Sequence, residues 1–509
     1  MLISKKLNNS LRMLNKHIIT PSILLLIFGP VLLAQTDGED IVVGNYRKLN
    51  SEITKEERTL LVRLPRDYSE TSNDYPVLYL LYGQNINEYL LPAITACDLL
   101  AETGSIPEMI IVGIANAERY RDYSSISDGY IENTVQFFTD ELFPFINENY
   151  RTNDYRIIVG PQAGAVFAFY VLITHPDMFN AFIIENPFVG QNRELIFSKS
   201  NSFFANNPEL EKFLFISEEN NNNPLYIETA RKFSEMLISK KPAGFKFSFK
   251  ITEPSNYFVP PVPVKEALLK LFEPFAFPDS LKVENLNDIK EFYDNVSRIY
   301  NIPFKAPNII LTFKSDDFVN RKLFTEAREL LAYQLSLYPK SLNALMRLGD
   351  LERMLGNYES ALRFYDEFLK IMPVDAIAIS NRRKNLEKYV KESLVYLLEK
   401  DIRSKGIDQA VRNFKRIKSL KENKLGYPEN DFNNLGYSLL NRGMTEESVR
   451  VFRLAIEIYP RSANLFDSLG EAYINNRDVN NAIKSYERSL SLNPQNDNAK
   501  KMLEQLRRN

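Results

Sequence analysis

A period of 34 residues runs through the C-terminal part of the chain and restricts its fold more than any other feature. Gly436 and Gly470 stand 34 residues apart, as do Pro460 and Pro494. Leu435, Gly436, Leu439, Ser448, Phe452, Ala455 and Pro460 form one unit, and Leu469, Gly470, Tyr473, Ala482, Tyr486 and Pro494 repeat it. Leu345, Leu348, Gly349, Ala361, Tyr365 and Pro373 show the same spacing upstream. Small residues at the glycine and alanine positions let two helices of a hairpin approach closely, large apolar residues fill the space between hairpins, and proline ends the second helix. One such hairpin cannot bury its apolar face alone, so the pattern demands a stacked solenoid. Ala327 and Pro339, 34 residues before Ala361 and Pro373, mark a degenerate first repeat, and Ala410 with Phe414 marks another within 375–424. Ala499 to Arg507 reads as a capping helix with a charged outer face.

The N-terminal half follows a different rhythm. Apolar runs at Pro76–Tyr82, Met109–Ile114, Arg156–Gly160, Ala181–Ile184, Lys212–Ile216 and Phe245–Ile251 read as strands, and Arg58–Pro65 alternates like one. Between or after them, Thr134–Glu148, Ala163–Thr174, Pro224–Ser239 and Pro263–Phe272 read as helices. Strands alternating with helices predict a mostly parallel sheet.

Particular segments carry resemblances. Tyr75-Pro-Val-Leu-Tyr-Leu-Leu-Tyr-Gly83, Ile111 to Asp122, Glu141 to Arg151, Gly160-Pro-Gln-Ala-Gly164 and His175-Pro-Asp-Met-Phe179 together resemble the esterase family of α/β-hydrolases that includes esterase D and enterochelin esterase. The 34-residue units resemble tetratricopeptide repeats. The order of the two is similar to that of bacterial exported esterase-like proteins with C-terminal repeats. The expected fold class is therefore α/β: a hydrolase-like sheet domain over 35–278, a connector over 279–306 containing a helix at Ile289–Tyr300, and an all-α repeat domain over 307–509.

The resemblance makes the turn at Gly160-Pro161-Gln162-Ala163-Gly164 decisive. In these hydrolases a strand turns sharply into a helix at Gly-x-Ser-x-Gly, and the serine is lifted above the sheet. Here the glycines keep their spacing and the nucleophile position holds Gln162. An amide has no ionisable oxygen and forms no acyl-enzyme. The segment that carries the family's histidine is Glu253 to Val262, and Asn256 is its best match. Tyr82 stands where the family often has a histidine, and the acid maps near Glu218 or Glu219. Triad members act as a unit, so losing nucleophile and base together removes the classical mechanism. The resemblance implies that backbone N–H groups at Ala163 and Gln84 persist. Tyr82, Gln84, Gln162, Ala163, Asn256 and Tyr257 then line a vestigial pocket suited to a sugar or peptide, or simply fill the old cavity. Arg119, Arg121 and Asp122 match a family segment near the cleft and read as a structural ion-pair group.

Composition agrees with that loss. The chain of 509 residues has two histidines, His17 and His175, and one cysteine, Cys97. Histidine is the usual neutral-pH base. His175 lies past the helix after the elbow, too far from Gln162 along an α-helix for hydrogen-bond reach, and reads as a loop histidine. A single cysteine forms no intrachain disulfide and no cysteine-based metal site. No cofactor or metal is expected. The net charge of −2 offers no field for nucleic acid.

Residues 1–34 carry Lys5, Lys6, Arg12 and Lys16, no acid, and an apolar run from Ile18 to Ala34. This reads as a secretory signal peptide cleaved after Ala34, with Met13 as an alternative start. The alternative is an uncleaved anchor at 18–34, the one way the chain would meet a membrane. The expectation is an exported protein, periplasmic or extracellular. It is a catalytically inactive pseudoesterase that binds a small molecule or sugar, with repeats contacting a protein or peptide partner. The alternative is an active carboxylic-ester hydrolase of the same family with a relocated site.

Overall fold

The runs of branched and aromatic residues form one eight-stranded sheet in the computed structural model, which describes residues 42–115, 117–124, 129–186, 193–220, 224–252, 262–373 and 376–508. Met1–Asn45 and Tyr46–Asn509 are separate compact units, and the expected signal segment lies outside the described residues. The strands are β1 (Asn45–Ser51), β2 (Glu56–Arg63), β3 (Tyr75–Leu80), β4 (Ile110–Ile114), β5 (Thr152–Pro161), β6 (Ala181–Glu185), β7 (Phe213–Glu219) and β8 (Lys246–Thr252). Their order is β1-β2-β4-β3-β5-β6-β7-β8. β2 runs antiparallel to β4, and β4 through β8 are parallel. Every residue of β3, β4 and β6 is buried, because helices cover both faces. Side-chain alternation divides each strand between two cores: Ala181 and Ile183 face one, Phe182 and Ile184 the other.

Two helices that follow the central strands β3 and β5 position the site. α1 (Leu91–Glu102) follows a one-turn π-helical segment at Ile86–Leu90, and α2 (Ala163–Thr174) follows β5. The helix expected over Thr134–Glu148 is divided. Tyr130–Gln136 and Phe143–Asn149 are α-helical, with a wider π-helical turn at Phe137–Leu142 between them. Pro144 supplies the reason: it has no N–H to donate back one turn, and its ring clashes with the carbonyl there.

The connector and the first repeats are welded to the sheet. One core joins Leu78, Ile157 and Ile183 of the sheet to Leu268 and Phe272 at α3 (Val262–Leu271), and to Ile289 and Tyr293 of α4 (Leu286–Tyr300). It continues through Leu311 and Phe318 of α5 (Asn308–Asn320), Leu330 of α6 (Phe324–Leu337) and Leu348 of α7 (Leu342–Met354). Tyr300 donates its hydroxyl to Leu271 O at 2.6 Å, and Tyr338 donates to Ala306 O at 3.0 Å. The proximal repeats therefore brace the sheet, and packing does not break at residue 278 or 306.

The solenoid continues with α8 (Tyr358–Ile371), α9 (Ile377–Glu392), α10 (Leu394–Lys405) and α11 (Ile407–Lys418). It ends with α12 (Glu429–Asn441), α13 (Thr445–Ile458), α14 (Ala463–Asn475), α15 (Val479–Leu492) and α16 (Asp497–Arg508). The degenerate unit expected within 375–424 is the hairpin α10/α11 preceded by the extra helix α9. The distal hairpins have cores of their own. Gly436 shows why the small residue is required: a Cβ there would lie 2.2 Å from Phe452 Cζ. Gly349 faces Tyr365 and Gly470 faces Tyr486 in the same way.

Candidate functional site: a nucleophile elbow carrying glutamine

The elbow is built by close approach of backbone. A Cβ on Gly160 would meet Gly164 O at 2.5 Å, so only glycine lets β5 pass so near α2. Gln162, between them, has φ 52° and ψ −116°, a backbone that costs a non-glycine residue roughly 1–3 kcal/mol. Its N–H donates to Glu185 O at 2.9 Å, which pins the turn to the end of β6. The side chain is exposed and donates from Nε2 to the Tyr89 hydroxyl at 3.3 Å. The sharp strand-to-helix turn that lifts a nucleophile is thus present, with an amide on top.

Not all the expected lining residues face the elbow. Tyr82 is buried, with φ 69°, and its ring packs tilted against Tyr89 at 6.1 Å and edge-to-face with Tyr123 at 5.9 Å between ring centroids. Gln84 turns its amide to the end of β4, donating to Ile114 O at 3.2 Å and Ala115 O at 2.8 Å. Ala163 opens α2, whose first turn has no side-chain cap. Asn256 and Tyr257 lie outside the described residues. Glu218 is buried at the end of β7 and Glu219 is half-buried beside it.

His175 stands at the far end of α2. Its Nδ1 lies 2.9 Å from Thr174 Oγ1, and its Nε2 lies 4.0 Å from Glu132 Oε2. It lines a cavity of about 610 Å³ with Arg156 and Asp177. Arg121 and Asp122 belong to an ion-pair group, as expected. Arg58 and Arg121 each reach Asp122 at 2.7 Å, and Arg121 grips Glu56 at 2.8 and 3.0 Å. Burial opposes the charge on Asp122, but the hydrogen bonds from Arg121 and Arg58 outweigh it and lower its pKa. The Arg119 side chain lies outside the described residues.

Three residues at the elbow escape sequence reasoning: Glu88, Tyr89 and Glu185. Glu185 ends β6, is 5% exposed, and its Oε1 has no hydrogen-bond partner among the described residues. Burial, with Glu88 adding to it, pushes its carboxyl from 4.5 up to about 7. Burial raises the Tyr89 hydroxyl well above its ordinary 10, and Glu88 and Glu185 add to the rise. The signal for Glu185 was available: it is a lone acid closing an apolar strand. Among the described residues, no three His, Cys, Asp or Glu are gathered as metal ligands. No described helix is long and apolar enough to cross a membrane.

This geometry defines a class: an esterase-type α/β sheet with its elbow, joined to helical repeats. Residues 51–228 match the family model described as "Putative esterase". Residues 314–376, 432–462 and 463–496 match tetratricopeptide repeat models. The chain carries an esterase-family domain followed by tetratricopeptide repeats. Ferri-bacillibactin esterase BesA of Bacillus subtilis (strain 168) is 27% identical over 224 residues, covering 38% of this chain and 78% of the relative. An IroE-like serine hydrolase from Shewanella oneidensis has a similar fold, with a TM-score of 0.50 at 21% identity over 58% of this chain and 99% of that one. An uncharacterised protein from Capnocytophaga ochracea gives a TM-score of 0.45 at 16% identity, covering 67% and 99%.

Proposed function

We propose that the chain is an exported, catalytically inactive relative of these esterases. Its elbow cleft binds a ligand, and its distal repeats take a protein or peptide partner. One observation carries the reading: an amide side chain occupies the strained apex of the elbow, held to Tyr89, where acyl transfer needs an ionisable nucleophile. Tetratricopeptide repeats generally mediate protein–protein interaction, and here the proximal ones share a core with the connector and the sheet. The distal hairpins α12 to α15 are the partner surface in this reading. Export rests on the basic and apolar sequence of 1–34, and N-terminal sequencing of the protein from its native host tests it, with Gln35 as the expected first residue.

Ester hydrolysis tests the catalytic half. Purified 35–509 is assayed with p-nitrophenyl butyrate and with ferri-bacillibactin, the compound in the Bacillus relative's name. The expected result is no turnover above buffer. Turnover abolished by changing one serine overturns the reading.

A relocated active site has one observation in its favour, the neighbouring Glu132, His175 and Thr174 beside a cavity. Activity lost in His175→Ala would establish that reading instead.

A further inference from the structure

A cavity lies at the opposite end of the strands from the elbow. β3 and β5 run parallel, with Leu80 beside Val159 at the end that leads to Gln162 and Tyr75 beside Thr152 at the other. Around Tyr75, the loops before β3 and β4, the end of α1, the connector and the start of α5 and α7 surround a space of about 630 Å³. Ligand pockets run to roughly 300–1,000 Å³ and favour such junctions, where apolar walls hold a few polar groups. The apolar walls here include Ile106, Phe275, Phe304 and Tyr338.

The charged groups are mostly of one sign. Five carboxylates line the space, Asp67, Glu70, Asp74, Glu102 and Glu108, against two cations, Arg66 and Lys305. Arg66 is spent on Glu102 at 3.0 Å, with Asp98 at 3.9 Å. Lys305, Glu70 and Asp74 are exposed, whereas Asp67 and Glu108 are half-buried. Asp67 accepts the Tyr75 hydroxyl at 2.9 Å. Glu108 has no hydrogen bond and no close ion pair among the described residues. Burial, then Asp67 and Asp98, push its carboxyl from 4.5 up to about 7, and Arg66 and Arg63 offset this only in part.

We propose that this cavity binds a planar organic cation, a guanidinium or amidinium, against its aromatic walls, with Glu108 and Asp67 as the counter-ions. Such a group has N–H donors and no acceptor, so it matches a wall of carboxylates. Its flat face also lies favourably on Phe and Tyr rings. Its charge offsets the repulsion between Asp67 and Glu108. A divalent metal needs oxygen ligands gathered at one point, and among the described residues no three acids are gathered so. An anion would meet the excess of carboxylates. Sheet, connector and first repeats all line the cavity, so an occupant ties the three together. The site is separate from the elbow and holds whether or not the elbow is catalytic.

The test uses 35–509, which holds the whole compact unit Tyr46–Asn509. Benzamidine, benzamide and benzoate share a shape and are cation, neutral molecule and anion. Each is titrated by calorimetry at about pH 8, above the raised value of Glu108. Benzamidine is expected to bind at least roughly tenfold more tightly than benzamide, and benzoate more weakly still. Glu108→Gln and Asp67→Asn are each expected to reduce benzamidine affinity by roughly tenfold. Circular dichroism checks that each variant is folded, and the three probes on the unaltered chain carry the test if a variant is not. The capped peptide acetyl-Gly-Arg-Gly-amide is then titrated against bound benzamidine. Displacement assigns the cation to the arginine of a peptide, and its absence to a free small molecule. No benzamidine binding, equal affinity for benzamidine and benzamide, or benzamidine affinity unchanged in both folded variants overturns the proposal.

Discussion

Replacing Glu185 with glutamine should stabilise the protein, and more so as pH rises. The carboxyl has an ordinary value of 4.5 and is pushed up to about 7 in the fold, by burial first and by Glu88 second. A raised acid makes the folded state bind more protons than the unfolded state, so stability falls as pH rises between those two values and levels off above the folded one. At about 1.4 kcal/mol per unit of separation, the ionised carboxyl costs on the order of 3 kcal/mol at pH 8 and under about 1 kcal/mol at pH 5. Glutamine is nearly isosteric and does not titrate. Its pH-independent effects cancel when the parent and variant are compared at the two pH values. Hydrogen exchange of peptides covering β6 reads the local opening free energy. The advantage of Glu185→Gln should grow by about 2–3 kcal/mol from pH 5 to pH 8. An advantage independent of pH would mean that Glu185 is already ionised at low cost in the fold, and the reasoning from its burial would be wrong.

Other predictions concern parts of the fold the sequence marks. Gly436→Ala places a Cβ 2.2 Å from Phe452 Cζ and should cost about 1–3 kcal/mol, seen as faster exchange confined to α12 and α13. Gly160→Ala should lower the melting temperature, because the new methyl meets Gly164 O at 2.5 Å and neither backbone can yield without opening the elbow. Asp122→Asn removes the shorter of the two ion pairs of Arg58, 2% exposed, leaving Glu56 at 3.4 Å, and should cost about 1.5–3 kcal/mol in urea unfolding. The lowered pKa of Asp122 also means that its stabilisation is present above its ordinary 3.8 and is lost as pH falls through its folded value. Asp122→Asn should therefore weaken the acid dependence below pH 4.

Much of this architecture is legible in the sequence because short-range patterns dictate it. Continuous apolar runs become doubly buried strands, as at Pro76–Tyr82, and the glycine-to-glycine period becomes hairpins whose aromatic rings fill the space a Cβ would occupy. β1 at Asn45–Ser51 was not legible, since most of its residues are exposed and it lacks an apolar face. The helix at Leu91–Glu102 has small and apolar residues on several sides and shows little periodicity. The elbow was legible through its two glycines, and Gln162 through its place between them. The nearness of Glu185 and Tyr89 to Gln162 was not, because it comes only from the register of β5 with β6 and the packing of the segment before α1. Gln84 was expected in the pocket, but its amide is turned to the end of β4, where two carbonyl oxygens accept from it. The shared core of sheet, connector and first repeats was equally invisible, because chain order says nothing of which helical face meets the sheet.

The central claim is that the elbow keeps its shape without a nucleophile. A serine-directed fluorophosphonate probe, incubated with 35–509 and followed by peptide mass spectrometry, measures this directly. The account predicts that no serine is labelled above the level of the heat-unfolded protein. Stoichiometric labelling of a single serine in the folded protein would contradict it.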